Sequence, residues 1–343
     1  MTKITRGNSI TADMVNHMLV GPTNAGEDIS VILFESDIAP DLLKHPKAFV
    51  PLEKVSKLYR QCTVRMGDEA HGFLHRPFPI GTFRMLGLVM LHSSTLGMAL
   101  RRCVEFLNLF ENSFQYSFVV EKGVAEVSLE RLPNQPLLDV WIIDYLLSFI
   151  HRFAGWLCDV RIALNQVHVD FPMPGYHSDY DLMYYGAPTR FSCKNNGIKF
   201  SEEYLQEKIV QSEVNVEHYI RRIPLDTYLP MNAGGILTRT IRGMIKDVLN
   251  DEARLPSLER VSLDLKLNPQ TLRRRLKAED TSFHDIKEQV RREFAIHHLA
   301  NLDLRIEEIA GMAGYTEPGS FIRAFKSWNG CTPLQFRKEF EFQ

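Results

Sequence analysis

The sequence predicts an α+β domain followed by an all-α domain built on a duplicated helical unit. Three observations carry that expectation. Up to about residue 230, short runs that alternate apolar and polar residues stand among amphipathic helical stretches. Prolines and glycines then gather in "RRIPLDTYLPMNAGGILTR". Beyond that stretch every strong pattern is helical, and one helical pattern occurs twice.

A chain of 343 residues suits two domains, and 45% hydrophobic with 24% charged residues is ordinary for folded, water-soluble protein. The start, "MTKITRGNSI", lacks the apolar core of a signal peptide, so a cytoplasmic location is expected. The most apolar run, Val140 to Cys158, contains Asp144, His151 and Arg152. Those groups point to a buried helix rather than a membrane span. The cysteines, Cys62, Cys103, Cys158, Cys193 and Cys331, are scattered and never form a Cys-x-x-Cys pair. That pattern fits a reducing compartment and predicts neither a disulfide framework nor a zinc cluster.

The first domain is expected over residues 1–222. "PLEKVSKLYRQCTVRM" opens a helix at Pro51, where a missing N–H costs nothing. "SSTLGMALRRCVEFLNLF" places Leu96, Leu100, Cys103, Val104 and Leu107 on one helical face behind Ser94 as a candidate cap. Ser113–Val120 and Val124–Glu130 alternate as strands, with Glu121-Lys122-Gly123 as the hairpin turn between them. "RFSCKNNGIKF" repeats the strand pattern, and Asn196-Gly197 signals a tight turn. Phe78, Phe83, Phe106, Phe110, Phe114, Tyr116 and Phe118 read as core, with an apolar ligand pocket as the alternative. Asp144 reads as a hydrogen-bonded buried carboxylate, with ligand contact as the alternative. His71 and His75 lie four apart, as helical metal ligands do, but Gly72 and Pro77 argue against a helix there. No metal or other cofactor is expected. No phosphate-cradling loop, nucleophile elbow or paired-carboxylate pattern occurs, so an enzyme is not expected.

A linker is expected over residues 223–235 and the second domain over 236–343. Within the latter, "SLERVSLDLKLNPQTLRRRLKAEDTSF" resembles "RIEEIAGMAGYTEPGSFIRAFKSWNGCTP". Leu258 and Val261 align with Ile306 and Ile309 at an offset of 48. Pro269, Leu272, Arg274, Leu276 and Lys277 align with Pro318, Phe321, Arg323, Phe325 and Lys326 at an offset of 49. The single extra residue falls in the turn, where insertion disturbs no packed face. That is how a duplicated helix-turn-helix should read.

In each unit the second helix starts at a capping or acidic residue followed by proline, Asn268-Pro269 or Glu317-Pro318. Leu272 and Leu276, or Phe321 and Phe325, form its inner face. Its outer face presents Gln270, Thr271, Arg273 and Arg274, or Gly319, Ser320, Ile322 and Arg323. Arg and Gln carry the donors that match guanine and adenine edges, and Lys277 and Lys326 suit phosphates. The net charge of −2 does not forbid this. From residue 231 onward there are 18 Lys+Arg and 16 Asp+Glu, leaving 22 and 26 before it. A local basic cluster is sufficient.

On these residues the segment from Ile236 to Phe340 resembles the DNA-binding domain of the AraC/XylS transcription regulators. The match is densest over "IEEIAGMAGYTEPGSFIRAFKSWNGCTPLQFR". The first unit departs at Ser262, where the family usually has Ala, and at Lys266, where Gly is common. The resemblance implies two helix-turn-helix units joined by a long helix, for which "SFHDIKEQVRREFAIHHLA" is the candidate through Phe283, Ile286, Val290 and Phe294. Thr332-Pro333 with Gln335 should form a capping box that starts a closing helix. Carried over, Gln270, Arg273 and Arg274 face bases from the first recognition helix, and Pro318, Gly319, Ile322 and Arg323 from the second. "GDEAHGFLHRPFPIGTFRMLG", "SSTLGMALRRCVEFLNLF" and "YYGAPTRFSCKNNGIKFSEEYLQEKI" resemble the arabinose-binding-like N-terminal domain of one branch of the family. The resemblance implies a regulator, of activator type, acting on double-stranded DNA with RNA polymerase as a partner. It implies a homodimer and a first domain that senses an unidentified small-molecule effector, whose ligand residues the sequence leaves unknown. The alternative is a ligand-independent regulator whose first domain serves only dimerisation or a partner protein.

Overall fold

The computed structural model describes residues 9–133, 135, 137–228, 236–252, 255–278, 281–299, 304–329 and 331–341. The chain divides into two compact units, Met1–Pro230 and Met231–Gln343. Pro230, Gly234 and Gly235, three breakers of the expected linker, lie outside the described residues.

In the first unit, strands β1 (Ser9–Thr11) and β2 (Phe49–Pro51) pair antiparallel. Between them run the short helices α1 (Ala12–Met18), α2 (Val20–Asn24), α3 (Ile29–Glu35) and α4 (Pro40–Leu43). Thr11 and Asp28 start α1 and α3 by accepting bonds from first-turn amides. Helix α5 (Leu52–Met66) begins behind Pro51 and buries Leu52, Val55, Leu58, Tyr59 and Cys62 at helical spacing. Helices α6 (Thr82–Leu91) and α7 (Leu96–Asn108) follow. The expected face of α7 is buried, but its cap is Thr95, not Ser94. Thr95 has the extended backbone a cap needs and accepts from the Met98 amide, whereas the Ser94 hydroxyl turns to Met98 Sδ at 3.1 Å.

The main sheet has the order β3-β4-β7-β5-β6. Strands β3 (Phe114–Glu121) and β4 (Val124–Arg131) form the expected hairpin, turning at Lys122 and Gly123, both at positive φ. Strand β5 (Leu164–His168) was not legible as a strand, and it pairs parallel with β6 (Thr189–Arg190). Strand β7 (Asn196–Ser201) runs antiparallel to both β4 and β5. Asn196-Gly197 is therefore not a turn but the first step of a central strand. Glycine is needed there because a Cβ would lie 2.8 Å from the Val127 carbonyl oxygen and from His168 Cε1.

Helix α8 (Trp141–Cys158) is the apolar run, and it packs on α7 and β7. Trp141, Tyr145, Phe149 and Phe153 recur every fourth residue and stack along it, with centroids 5.2, 6.4 and 5.5 Å apart. Asp144 on the same helix is fully buried. It accepts from the hydroxyls of Tyr176 (2.9 Å), Tyr180 (2.7 Å) and Tyr184 (3.0 Å), the middle one on helix α9 (Tyr180–Met183). Burial pushes its pKa up to about 6, against the lowering effect of the three hydroxyls. Phe78, Phe83, Phe114 and Tyr116 are buried in the same core, and Phe106, Phe110 and Phe118 pack partly buried against it. Helices α10 (Glu213–Arg221) and α11 (Leu225–Tyr228) close the unit. Ile223 and Tyr228 are buried, and α11 packs on α5 and α8, so the first core runs past the expected boundary at 222. These apolar side chains shed water against a face that an extended linker would leave bare.

Among its described residues the second unit has helices and no strand. It comprises α12 (Ile236–Glu252), α13 (Leu258–Asp264), α14 (Pro269–Ala278), α15 (Phe283–Leu299), α16 (Ile306–Met312), α17 (Pro318–Asn329) and α18 (Pro333–Glu341). It has two small cores. Ile241, Ile245, Val261, Leu272, Leu276 and Ile286 belong to one, and Leu299, Ile309, Ala310, Phe321, Phe325 and Phe336 to the other. Helix α15 contributes to both, through Ile286 and Val290 near its start and Ala295, Ile296 and Leu299 near its end. The capping box at α18 is present, with Thr332 N donating to Gln335 Oε1 at 2.9 Å and Gln335 N to Thr332 Oγ1 at 3.3 Å.

Candidate nucleic-acid interface

The two helix-turn-helix units close with the same bonds. In the first, Lys266 N donates to Leu263 O at 3.0 Å and Leu267 N to Ser262 O at 2.9 Å. In the second, Gly314 N donates to Gly311 O and Tyr315 N to Ala310 O, both at 2.9 Å. Both turns need one residue in the left-handed region, Gly314 at φ +77 and Lys266 at φ +53. Glycine adopts that conformation without penalty, and lysine does not. The first turn thus keeps the geometry of the second at an energetic cost, and Lys266 has not altered it.

Each recognition helix is fixed by what it buries. Leu272 and Leu276 of α14, and Phe321 and Phe325 of α17, are all 0% exposed. Burial of such side chains contributes about 1.5–3 kcal/mol each. The Asn268 side chain accepts from Gln270 N at 2.9 Å and starts α14. At α16 the Glu308 carboxylate accepts from Arg305 N at 2.6 Å.

Helix α15, 17 residues and about 25 Å long, ties the units together with polar bonds that the sequence did not reveal. Arg291 donates to the Gly314 carbonyl at 3.1 Å and lies 4.4 Å over the Tyr315 ring. Glu288 pairs with Arg291 at 3.2 Å and accepts from Trp328 Nε1 at 3.1 Å. These bonds fasten the second turn and the end of α17 to α15. On the other side Arg242 and Lys246 of α12 both pair with Glu293 of α15. The Glu288–Arg291 spacing of three was the one sequence signal for this lock. Its partners Trp328 and Gly314 are remote in sequence.

With the inner faces filled, the expected contact residues fall on the outer ones. Gln270, Arg273, Arg274 and Lys277 are exposed on α14, with Thr271 half-buried beside them. Pro318, Gly319, Ile322, Arg323 and Lys326 are exposed on α17, with Ser320 half-buried. Arg323 donates to Ser320 Oγ at 3.0 Å. Among the described residues, Arg273, Arg274, Lys277 and Lys326 are in no ion pair. Two short helices therefore present exposed cations, with the Gln270 amide on α14, from one helical frame. That arrangement suits anionic, edge-patterned DNA.

The first unit holds a different kind of polar site. Thr11 donates through its hydroxyl to Asp179 at 2.6 Å, and His17 Nδ1 sits 2.8 Å from Asp139. Asp144 is enclosed by its three tyrosines. His71 lies in a turn at φ +50, its Nε2 2.8 Å from Thr63 Oγ1, and burial pushes its pKa down to about 3. Among the described residues no group of three His, Cys, Asp or Glu side chains could hold a metal ion, and no helix is long and apolar enough to cross a membrane.

Comparison with known proteins agrees with the division. Residues 26–209 match the family described as the arabinose-binding domain of AraC transcription regulator, N-terminal, and residues 262–339 match a helix-turn-helix domain. The chain is similar to the Ornithine utilization regulator of Pseudomonas aeruginosa, 22% identical over 312 residues and 88% of each chain. It is 33% identical to the HTH-type transcriptional regulator VqsM of the same species over 273 residues, 77% of this chain and 82% of that one. It is 36% identical to the HTH-type transcriptional regulator VirS of Mycobacterium tuberculosis over 152 residues, 44% of each.

Proposed function

This chain belongs to the AraC/XylS family of transcription regulators, and on that premise we propose that it reads operator DNA through α14 and α17. It is a DNA-binding regulator with a ligand-sensing N-terminal domain. In our reading the two recognition helices enter successive major-groove segments, with their N-terminal turns against base edges. Gln270, Arg273 and Arg274 hydrogen-bond bases in one half-site, with Thr271 beside them. Pro318, Gly319, Ser320, Ile322 and Arg323 line the other. Lys277 and Lys326 take phosphates. The observation that carries this reading is the repeat itself: both outer faces are exposed, with Arg274 and Arg323 at equivalent positions.

The finer reading is of a cytoplasmic homodimer without catalytic activity. It binds a small-molecule effector in the first unit and acts as an activator through RNA polymerase. Base discrimination concentrates in the α14 half-site, because Gln270 and Arg273 of α14 stand where α17 carries Gly319 and Ile322. The test is binding of Arg273→Ala and Arg274→Ala to a library of operator point variants. Each should cost about 1–3 kcal/mol and relax preference at one base pair. Unchanged preference in both variants would remove α14 from the role.

A further inference from the structure

The outer faces of α14 and α17 are not copies. At the 49-residue offset Thr271 corresponds to Ser320, Arg274 to Arg323 and Lys277 to Lys326, so hydroxyl and cations are kept. Arg273 corresponds to Ile322, a five-donor fork replaced by a branched alkyl group. Ile322 is not needed by the core, since Phe321 and Phe325 already fill the inner face of α17 at 0% exposure. It stands 37% exposed on the same outer surface as Arg323 and Lys326. Gly319, one turn before Arg323, leaves the backbone open: among the described residues only Arg323 Nη1, at 3.7 Å, comes within 4 Å of where its Cβ would lie. The surface thus joins an apolar knob to flanking cations. Within a major groove the matching feature is the 5-methyl group of thymine, the apolar element among the four base edges, flanked by phosphates.

Resting on the DNA-reading proposal above, we propose that Ile322 is a specificity residue that reads a thymine methyl in the α17 half-site, at the place where Arg273 reads a hydrogen-bonding edge in the other. The two half-sites of the operator then differ in chemistry as well as in sequence. One is selected by donors and acceptors alone, the other by an apolar contact set beside the donors of Arg323. Loss of one buried methyl contact corresponds to about fourfold in affinity, well below the loss of a bidentate arginine.

The test uses the full chain and an operator recovered by selection from random-sequence duplex DNA. Each thymine is replaced singly by deoxyuracil, which removes the methyl and leaves base pairing intact. One replacement in the α17 half-site should weaken wild-type binding about fourfold, and the same replacement should have no effect on Ile322→Ala. Ile322→Arg should move preference at that base pair from thymine to guanine. The wild-type uracil series needs no variant, so a folding defect cannot obscure it. Two outcomes overturn the inference: no uracil replacement weakens the wild type, or the sensitive position stays equally sensitive in Ile322→Ala. Either leaves DNA recognition by α14 and α17 intact provided selection yields a defined operator. If the full chain selects no sequence from random DNA, both proposals fall.

Discussion

Converting the first helix-turn-helix turn to the chemistry of the second should stabilise it by about 2 kcal/mol. The perturbation is the double substitution Ser262→Ala with Lys266→Gly, which installs the residues that stand at Ala310 and Gly314. Ser262 is 1% exposed, and its hydroxyl has no hydrogen-bond partner among the described residues. A buried hydroxyl left without a partner costs about 1 kcal/mol or more, and alanine adds a few tenths in helix propensity. Lys266 sits at φ +53, where a Cβ costs about 1–2 kcal/mol relative to glycine. Glycine returns about 0.5–1 kcal/mol of that through its freer unfolded chain. The sum, about 2 kcal/mol, is about 30-fold in the opening equilibrium. The assay is amide hydrogen exchange in the intact chain. Peptides covering α13 and α14 should exchange about 30-fold more slowly, while those covering α16 and α17 serve as an unchanged control. Exchange that is unaltered or faster over α13 and α14 would refute the reasoning, because it would mean that neither the hydroxyl nor the positive φ is a burden.

Three further outcomes are expected. Lys326→Ala should weaken binding to all sequences alike and lower the salt slope by about one, which binding at two salt concentrations measures. Asp144 is raised from 3.8 to about 6 by burial, so its protonated form adds about 3 kcal/mol of stability that is fully present below pH ~4 and lost as pH climbs through about 6. Thermal unfolding of Asp144→Asn, followed by tryptophan fluorescence, should therefore lack the fall in stability expected of the wild type over that window. A screen of metabolites, fatty acids and amino acids should raise the melting temperature of the first unit with at least one compound. A screen in which none does so favours a first unit that only dimerises.

Much of the second unit was legible because its information is local and repeated. Proline at a first helical position, a capping or acidic residue before it and apolar residues at helical spacing each act within a few residues, and each occurs twice. The residues named for α14 and α17 accordingly lie on the outer faces. In the first unit the same local signals misled at Asn196-Gly197. A tight hairpin turn and a crowded central strand both demand glycine, and the difference lies in Val127 and His168, dozens of residues away. Strand β5 carries too few alternating residues to be distinguished from a loop until β7 pairs with it.

By itself, then, the sequence determined the helical repeat and the side chains each recognition helix would leave exposed, because backbone propensity and residue spacing are short-range. Tertiary structure alone decided the order of the sheet, the three-tyrosine enclosure of Asp144, and the Glu288–Arg291 bonds that fasten α15 to Trp328 and Gly314. Those features join groups far apart in the chain. Their partners are fixed only when burial favours a bond between polar atoms and whatever packing has brought alongside.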